Sequence, residues 1–196
     1  VLFRSDALPK ERVPQLMAEL NKSQAEQQLD IKTVCALKLA LYTGLRDNSI
    51  RGAKWSEIDL ERRVWTVPAS RMKSGKEFNL PLPSQAVDVF KILEPLTFRE
   101  PSSYIFPSAG KYGYMAENTL RLALHRLGFK VTVHGMRSLI TNVLNEKGFN
   151  RDAIERQLDH QEPNQVRASY LRSDFMEERI RVMQWFARSE EHTSEL

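Results

Sequence analysis

The sequence predicts a mostly helical α+β domain with one small antiparallel β-sheet. Through most of the chain, apolar residues recur every three to four positions, as they do on the buried face of a helix. Between residues 62 and 82 the period changes to two, which is the spacing of a half-buried strand. The chain has 196 residues, of which 41% are hydrophobic and 28% charged. This length and composition suit one globular domain with a substantial core.

The N-terminal part of the chain predicts two long helices and a short one. The first covers residues 10–21 and is entered through Pro9. Asp30 is placed to cap the second helix, whose apolar face runs to Leu45. A short third helix is expected around residues 47–54, before WSEIDLE. The residues that form the two apolar stripes are Val13, Leu16, Met17 and Leu20 in the first helix, and Val34, Leu37, Leu41 and Leu45 in the second.

The next segment predicts a β-hairpin with a basic tip. RRVWTVP and KEFNLPL both alternate between apolar and polar residues, and Phe78, Leu80 and Leu82 share one face. The connection RMKSGK contains Gly75, which suits a turn. The two strands should therefore pair in an antiparallel sheet.

After the hairpin the helical period returns and continues to the end of the domain. A loop over residues 95–115 contains YIFPS and the glycine- and tyrosine-rich GKYGY. Gly148 is a stop signal for the helix that precedes it. The predicted helices cover residues 84–94, 116–127, 134–147, 151–158, 163–171 and 174–187.

The two ends of the chain resemble translated sequencing adapter. VLFRS can be written in codons whose reverse complement encodes RSEEH, the residues at 188–192. We therefore expect residues 1–5 and the tail 188–196 to be adapter-derived, and we exclude them from the interpretation of the fold. The native domain is expected to cover residues 6–187.

Charge and cysteine content narrow the class of protein. The net charge of +4 is compatible with binding to nucleic acid, although lysine-rich surfaces are also common on other proteins. The single cysteine, Cys35, allows no intramolecular disulfide and suits a reducing, cytoplasmic setting. No apolar run is long enough to span a membrane, and no signal peptide is visible.

The stretch VTVHGMRSLI places two cationic side chains where an extended segment becomes a helix. A helix N-terminus presents free backbone N–H groups and partial positive charge, which favour an anion. His134 and Arg137 would add donors there, and arginine can bind two phosphate oxygens at once. The alternative is a polar turn that merely solvates the helix start. Zinc is not expected, because neither a cysteine nor a third histidine lies at ligand spacing from His134 and His160.

Five motifs occur in an order that identifies a family. They are TGLR followed by WSEIDL, MK followed by LPL, HGMR, LDH and the closing SYLRSDFMEERIRVMQWFA. Together they resemble the catalytic domain of the tyrosine recombinases, the phage integrase family, and the wording is similar to integrases of satellite phages and genomic islands. The resemblance covers residues 6–187. It implies that domain's fold, and it implies site-specific cleavage and rejoining of DNA during integration of a mobile element.

The resemblance also implies an active site for one DNA phosphodiester, without metal or other cofactor. Tyr170 would be the nucleophile and would form a 3′-phosphotyrosyl intermediate. Arg46 and Arg137 would hold the non-bridging oxygens of the phosphate. His134 and His160 would add hydrogen bonds, with His134 a candidate acceptor for the tyrosine proton. The last member is Lys73, the general acid for the 5′-oxygen.

Further basic residues are candidates for contact with the DNA backbone, and other protomers are expected in a synaptic assembly at attachment sites. The expected setting is the bacterial cytoplasm, in association with the nucleoid and not with a membrane. The backbone-contacting candidates are Arg51, Lys54, Lys76, Arg167 and Arg172. Arg51 and Lys54 could instead be merely solvated, and Lys76 competes with Lys73 for the role at the hairpin.

This sequence departs from the family's pattern at two places. Ser49 stands three residues after the first arginine, where the family usually has an acidic residue, and Asp47 is a candidate substitute. The second departure is Arg156 or Asp159, near LDH, because the family usually has a small residue before the second histidine. The resemblance implies N-terminal DNA-binding domains, which we expect to lie outside this sequence. Two alternatives stay open: a non-catalytic DNA-binding remnant, and an enzyme like the type IB topoisomerases.

Overall fold

The computed structural model describes residues 7–160 and 174–192, and it confirms the predicted α+β class. Single 3₁₀ turns lie at Lys10–Arg12, Trp55–Glu57 and Ala69–Arg71. The helices are α1 (Val13–Ala25), α2 (Ile31–Thr43), α3 (Asp47–Arg51), α4 (Ser84–Thr97), α5 (Thr119–Arg126), α6 (Val133–Glu146), α7 (Arg151–Gln157) and α8 (Met176–His192). The strands are β1 (Ile58–Asp59), β2 (Val64–Val67) and β3 (Phe78–Pro81).

Helix α2 is the centre of the core. Nearly all of its side chains are buried, which is expected of a helix that other helices surround. It begins as predicted at Asp30, whose carboxylate accepts a hydrogen bond from the Lys32 backbone N–H at 2.7 Å. The stripes predicted on α1 and α2 are buried in the same core.

Gly44 ends α2 and fixes the direction in which the chain continues. Its φ of +67° lies in the left-handed region, where only glycine is free of steric strain. A Cβ at this position would lie 2.7 Å from a methyl carbon of Leu158, so the Leu158 side chain would have to shift to make room for it. The close approach brings the residues that follow Gly44 next to the end of α7.

The sheet has three antiparallel strands in the order β1–β2–β3. The predicted hairpin pairs Val67 with Phe78 and Trp65 with Leu80 across β2 and β3. Trp65 is fully buried and packs edge-on against Phe90 of α4, with ring centroids 5.5 Å apart. The two-residue β1 was not predicted, because a strand so short carries no alternation of its own.

The predicted helix over residues 163–171 lies outside the described residues. The same holds for Arg167, Tyr170 and Arg172, which the sequence analysis placed in the site. Within the parts of the chain that are described, no helix is both long enough and apolar enough to cross a membrane.

Candidate active site

Three of the six residues predicted to be catalytic line one open pocket of about 550 Å³. Arg46 lies between α2 and α3, whereas His134 and Arg137 lie in the first turns of α6. The pocket is therefore formed by segments far apart in sequence, and each of these three side chains can be a donor to an anion. The remaining lining residues are Asp47, Asn48, Arg51, Tyr112, Tyr114 and Glu117.

Arg46 is half-buried at the pocket wall, and Asp159 binds its guanidinium. Its Nη1 donates to the Asp159 carboxylate at 3.1 Å, and its Nη2 donates to the Asp159 carbonyl at 3.3 Å. An arginine has five N–H donors, so these two bonds leave donors for a ligand in the pocket.

Arg137 is almost completely buried and joins two segments of the site. Its Nη1 donates to the Gly44 carbonyl at 2.5 Å, and its Nη2 donates to the Leu158 carbonyl. Gly44 is two residues before Arg46, and Leu158 is two residues before His160. Burial, and next the positive charge of Arg46, lowers the pKa of Arg137 to about 10. Arg137 thus keeps its charge at neutral pH while it fixes the backbone on both sides of the pocket.

His134 lies in the first turn of α6 with its imidazole exposed to the pocket. The helix starts one residue before the predicted start, with Thr132 as its N-cap. The Thr132 hydroxyl accepts from the Gly135 backbone N–H at 3.3 Å, which leaves His134 free to project outward. The imidazole can therefore exchange a hydrogen bond with a ligand in the pocket.

His160 lies beside the pocket and not in its lining. Its Nδ1 is 2.7 Å from a carboxylate oxygen of Glu155. Partial burial, and next the charge of Arg137, lowers the pKa of the imidazole below its ordinary value, although Glu155 opposes this. The imidazole is thus neutral at pH 7 and near enough to the arginines to respond to their charge.

An NMR titration should give His160 a pKa below the ordinary value of 6.5. Because the unfolded chain then binds the proton more readily, stability should increase with pH between the folded pKa and 6.5, and should be lost as pH falls through that window. Glu155→Gln should lower the pKa of His160 further, since this carboxylate raises it. A titration midpoint above 6.5 in the parent protein would contradict the prediction.

Lys73 and Lys76 lie in the loop that joins β2 to β3, and both are exposed. Neither lines the pocket, so the structure does not bring the predicted general acid together with Arg46 and Arg137. The loop extends from the sheet and is anchored at its ends by the Val67–Phe78 pair. Lys73 therefore stays a prediction for the general acid.

The other candidates for DNA contact differ in exposure. Arg51 lines the pocket but is buried, and the alternative that it is merely solvated is wrong. Its Nε donates to Asp47 at 2.6 Å and its Nη1 donates to the Met115 carbonyl at 2.9 Å. Lys54 is half-buried, with its Nζ 5.2 Å from the centre of the Tyr104 ring.

The suggestion that Asp47 holds Arg46 is wrong. The Asp47 carboxylate binds Arg51, four residues later on α3. Burial raises the pKa of Asp47 above its ordinary value, although the hydrogen bond from Arg51 opposes the shift. Ser49 does not hold the Arg46 guanidinium either. Its buried hydroxyl donates to the Arg71 carbonyl at 3.2 Å, and its backbone N–H donates to the Arg46 carbonyl at 3.0 Å.

Several residues of the site were not predicted. Asp159 appeared only as a departure from the family's pattern, yet it binds Arg46 directly. Tyr112 and Tyr114 come from the GKYGY loop, for which the sequence predicts no function. Tyr112 is 64% exposed at the pocket, where an aromatic ring is available for contact with a ligand. Across residues 7–160 and 174–192, no group of three or more His, Cys, Asp or Glu side chains could hold a metal ion.

The sequence matches a known protein family whose members are expected to have a pocket of this kind. Residues 6–177 match the model of the phage integrase family. The chain belongs to the phage integrase family. The likeness in motifs is thus confirmed over most of the domain expected at residues 6–187.

Curated relatives of this family member include two integrases. The prophage integrase IntA of Escherichia coli strain K12 is 36% identical over 180 residues, covering 90% of this chain and 42% of IntA. The integrase of Enterobacteria phage P4 is 35% identical over 202 residues, covering 92% and 44% of the two chains. The chain thus spans less than half the length of these relatives.

Solved structures of two other integrases share the fold. The integrase of mycobacterium phage Brujita superposes with a TM-score of 0.69 at 19% identity, covering 92% of this chain and 59% of that one. The Tn1549 transposon integrase, solved in complex with transposon right end DNA, gives a TM-score of 0.62 at 18% identity, covering 85% and 65%. The predicted recombinase-type catalytic fold is therefore confirmed.

Proposed function

We propose that this family member cleaves and rejoins DNA strands at specific sites, as a recombinase that integrates a mobile element. The observation that carries the proposal is the convergence of Arg46, His134 and Arg137 on one pocket. A pocket with two guanidiniums and an imidazole suits a phosphodiester, whose negative charge increases in the transition state of transfer. Membership of the phage integrase family supports the same reaction.

The proposed first step transfers a phosphoryl group from DNA to the enzyme. The Tyr170 hydroxyl attacks the scissile phosphorus and gives up its proton, for which His134 is the candidate acceptor. The new bond joins the tyrosine oxygen to the 3′-phosphate, while the bond to the 5′-oxygen breaks. Lys73, reaching in from the hairpin loop, gives the leaving oxygen its proton and so produces a 5′-hydroxyl. Attack by the 5′-hydroxyl of another strand reverses these steps and completes the exchange.

The two arginines have different parts in this scheme. Arg46 is half-buried, with N–H donors left for a phosphate after its bonds to Asp159. Arg137 is fixed by the carbonyls of Gly44 and Leu158, so its position costs no reorganisation when the phosphate arrives. His160, neutral at pH 7, would contribute a hydrogen bond from the side of the pocket.

The surface around the pocket would bind duplex DNA. Lys54, Lys73 and Lys76 supply positive charge for the phosphates on either side of the scissile one. Tyr112 would lie against a sugar or base next to the pocket, where an exposed ring can stack. The assembly would contain other protomers at the attachment sites and would act on the nucleoid in the bacterial cytoplasm.

The decisive experiment is covalent trapping on nicked DNA. The substrate is a pool of random-sequence duplexes, each with a nick close to the position of cleavage. After the tyrosine attacks, the short strand that carries the 5′-hydroxyl dissociates, so the strand cannot be rejoined and the protein stays covalently bound to the DNA. We expect adducts that survive denaturing electrophoresis, that share a sequence when the trapped DNA is read, and that disappear in Tyr170→Phe. Tyr170→Phe should still bind the selected DNA, because only a hydroxyl is removed.

Two outcomes would contradict the proposal. Binding of DNA without any adduct would support the non-catalytic remnant instead. Adducts that carry no common sequence, together with relaxation of supercoiled DNA, would support an enzyme like the type IB topoisomerases.

A further inference from the structure

We propose that Asp159 is a positioning residue, which holds the Arg46 guanidinium in its place at the phosphate pocket. The inference rests on the proposed function and deepens it, because it assigns a role to a residue outside the predicted catalytic set. The Asp159 carboxylate lies next to a proposed site for a phosphate, where its negative charge is unfavourable unless it has another role.

Asp159 binds Arg46 with both its side chain and its backbone. The carboxylate accepts from Nη1 and the carbonyl of the same residue accepts from Nη2. Asp159 has a φ of +47°, in the left-handed region, which aspartate tolerates better than most residues. Only 7% of Asp159 is exposed, so the carboxylate is shielded from water and its bond to Arg46 is stronger than a surface ion pair.

The neighbouring polar groups are bound to other partners. Asp47 pairs with Arg51, Glu155 pairs with His160, and the Ser49 hydroxyl donates to the Arg71 carbonyl. Of the carboxylates in residues 7–160 and 174–192, only that of Asp159 lies within ion-pair distance of Arg46. Among the described residues, Asp159 at the end of α7 is therefore the one carboxylate that fixes the orientation of the guanidinium.

Asp159 also offsets the repulsion between the two arginines. Arg46 and Arg137 must lie close together to bind the same phosphate, and the charge of Arg46 disfavours the charged form of Arg137 while that of Asp159 favours it. In the free protein, Asp159 thus keeps two like charges converged before DNA arrives.

The positioning role has a distinctive kinetic signature. Removing the carboxylate frees Arg46 to turn into solvent, which should slow cleavage. The same change removes a negative charge beside the bound phosphate, so affinity for DNA should not fall. A residue with a merely structural role would instead lower both values together with stability.

The test compares Asp159→Gly and Asp159→Asn with the parent chain. Both glycine and asparagine tolerate a positive φ, so the backbone is not strained by either change. Asparagine keeps an oxygen acceptor for Nη1, whereas glycine removes the side chain. On DNA selected by trapping, Asp159→Gly should lower the single-turnover cleavage rate by about 10- to 100-fold, the usual effect of a misplaced catalytic group. The cleavage rate of Asp159→Asn should lie between those of the parent and Asp159→Gly. Neither variant should bind DNA more weakly than the parent.

A second measurement does not depend on cleavage. Solvent exchange of the Arg46 guanidinium protons, followed by NMR, should be faster in Asp159→Gly than in the parent, while exchange at Arg137 changes less. An unchanged cleavage rate in Asp159→Gly, or unchanged exchange at Arg46, overturns the inference. So does a fall in rate that is accompanied by weaker DNA binding and a lower Tm. If the parent itself forms no adduct, the proposed function fails, and the exchange measurement still decides the role of Asp159.

Discussion

Arg137→Ala should remove DNA strand cleavage and destabilise the fold at the same time. Two buried carbonyls, those of Gly44 and Leu158, would lose their charged donor. Since each of the two unsatisfied buried carbonyls costs about 1–3 kcal/mol, the free energy of unfolding should fall by about 2–6 kcal/mol. Cleavage should fall by about 1,000-fold or more, because one phosphate-binding group is lost and the segments carrying Arg46 and His160 also move apart. Urea unfolding and single-turnover trapping measure the two effects.

His134→Ala is the matched control for this prediction. His134 lines the same pocket and lies on the same helix, but its side chain is exposed. Its removal should slow cleavage and change the free energy of unfolding by no more than about 0.5 kcal/mol, as is usual at surface positions. Arg137→Lys should cleave DNA nearly as slowly as Arg137→Ala, because an ammonium cannot donate to two carbonyls and a phosphate in the geometry of a guanidinium. Equal stability of Arg137→Ala and His134→Ala would show that the two carbonyl bonds contribute nothing.

The fold was predictable from the sequence because its elements are defined by local periodicity. Asp30 capped α2 as expected, and Phe78, Leu80 and Leu82 form the buried face of the hairpin region. Where the signal was short, prediction failed: β1 has two residues, too few to show a period. The expected boundaries of the native domain, at residues 6 and 187, stay predictions.

The local setting of the site residues was also predictable, but their partners were not. Arg46 was placed after the Gly44 break, and His134 and Arg137 at a helix start, because glycine and helix caps leave clear local signals. The Arg46–Asp159 pair joins residues 113 positions apart, which no local pattern encodes. Whether these residues act in catalysis stays a prediction. So does the role of Lys73, since its distance from the pocket depends on a loop whose conformation no periodic pattern sets.

The burial of Arg179 was not predictable from the sequence. In the stretch MEERIRVMQ it resembles a solvated helix residue, yet it is fully buried between α8, α7 and β3. The spacing of Asp174 and Glu177 is that of a capping box, and it predicts Asp174 as the N-cap of this helix. In the structure the first helical bond runs from the Arg179 backbone N–H to the Phe175 carbonyl, and the Asp174 carboxylate binds the arginine side chain instead. A buried charge of this kind depends on acceptors that only the tertiary fold supplies.

The second large prediction is that Arg179→Ala will strongly destabilise the protein. The guanidinium donates to Gln157 at 3.0 Å, to the Asn79 carbonyl at 2.8 Å and to Asp174 at 3.1 Å. It also lies 4.8 Å from the centre of the Phe78 ring. Burial lowers its pKa to about 10, so it remains charged at neutral pH and holds all of these groups. Loss of a buried, fully bonded charge should lower the free energy of unfolding by about 3–5 kcal/mol.

Arg181→Ala is the control for Arg179→Ala, since it removes the same side chain two residues later on the exposed face of α8. Its effect on the free energy of unfolding should stay within about 0.5 kcal/mol.

Arg179→Met separates packing from hydrogen bonding: methionine fills most of the volume of the arginine, but it leaves Gln157 and the Asn79 carbonyl without their donor. If Arg179→Met is as stable as the parent, the guanidinium contributes only bulk. If it is nearly as unstable as Arg179→Ala, as we expect, then the bonds from Arg179 are what attach α8 to the strand that leads out of the hairpin loop. Because that loop carries Lys73, loosening the attachment should also slow cleavage at temperatures where Arg179→Met is still folded, and trapping assays on the folded variant would measure this.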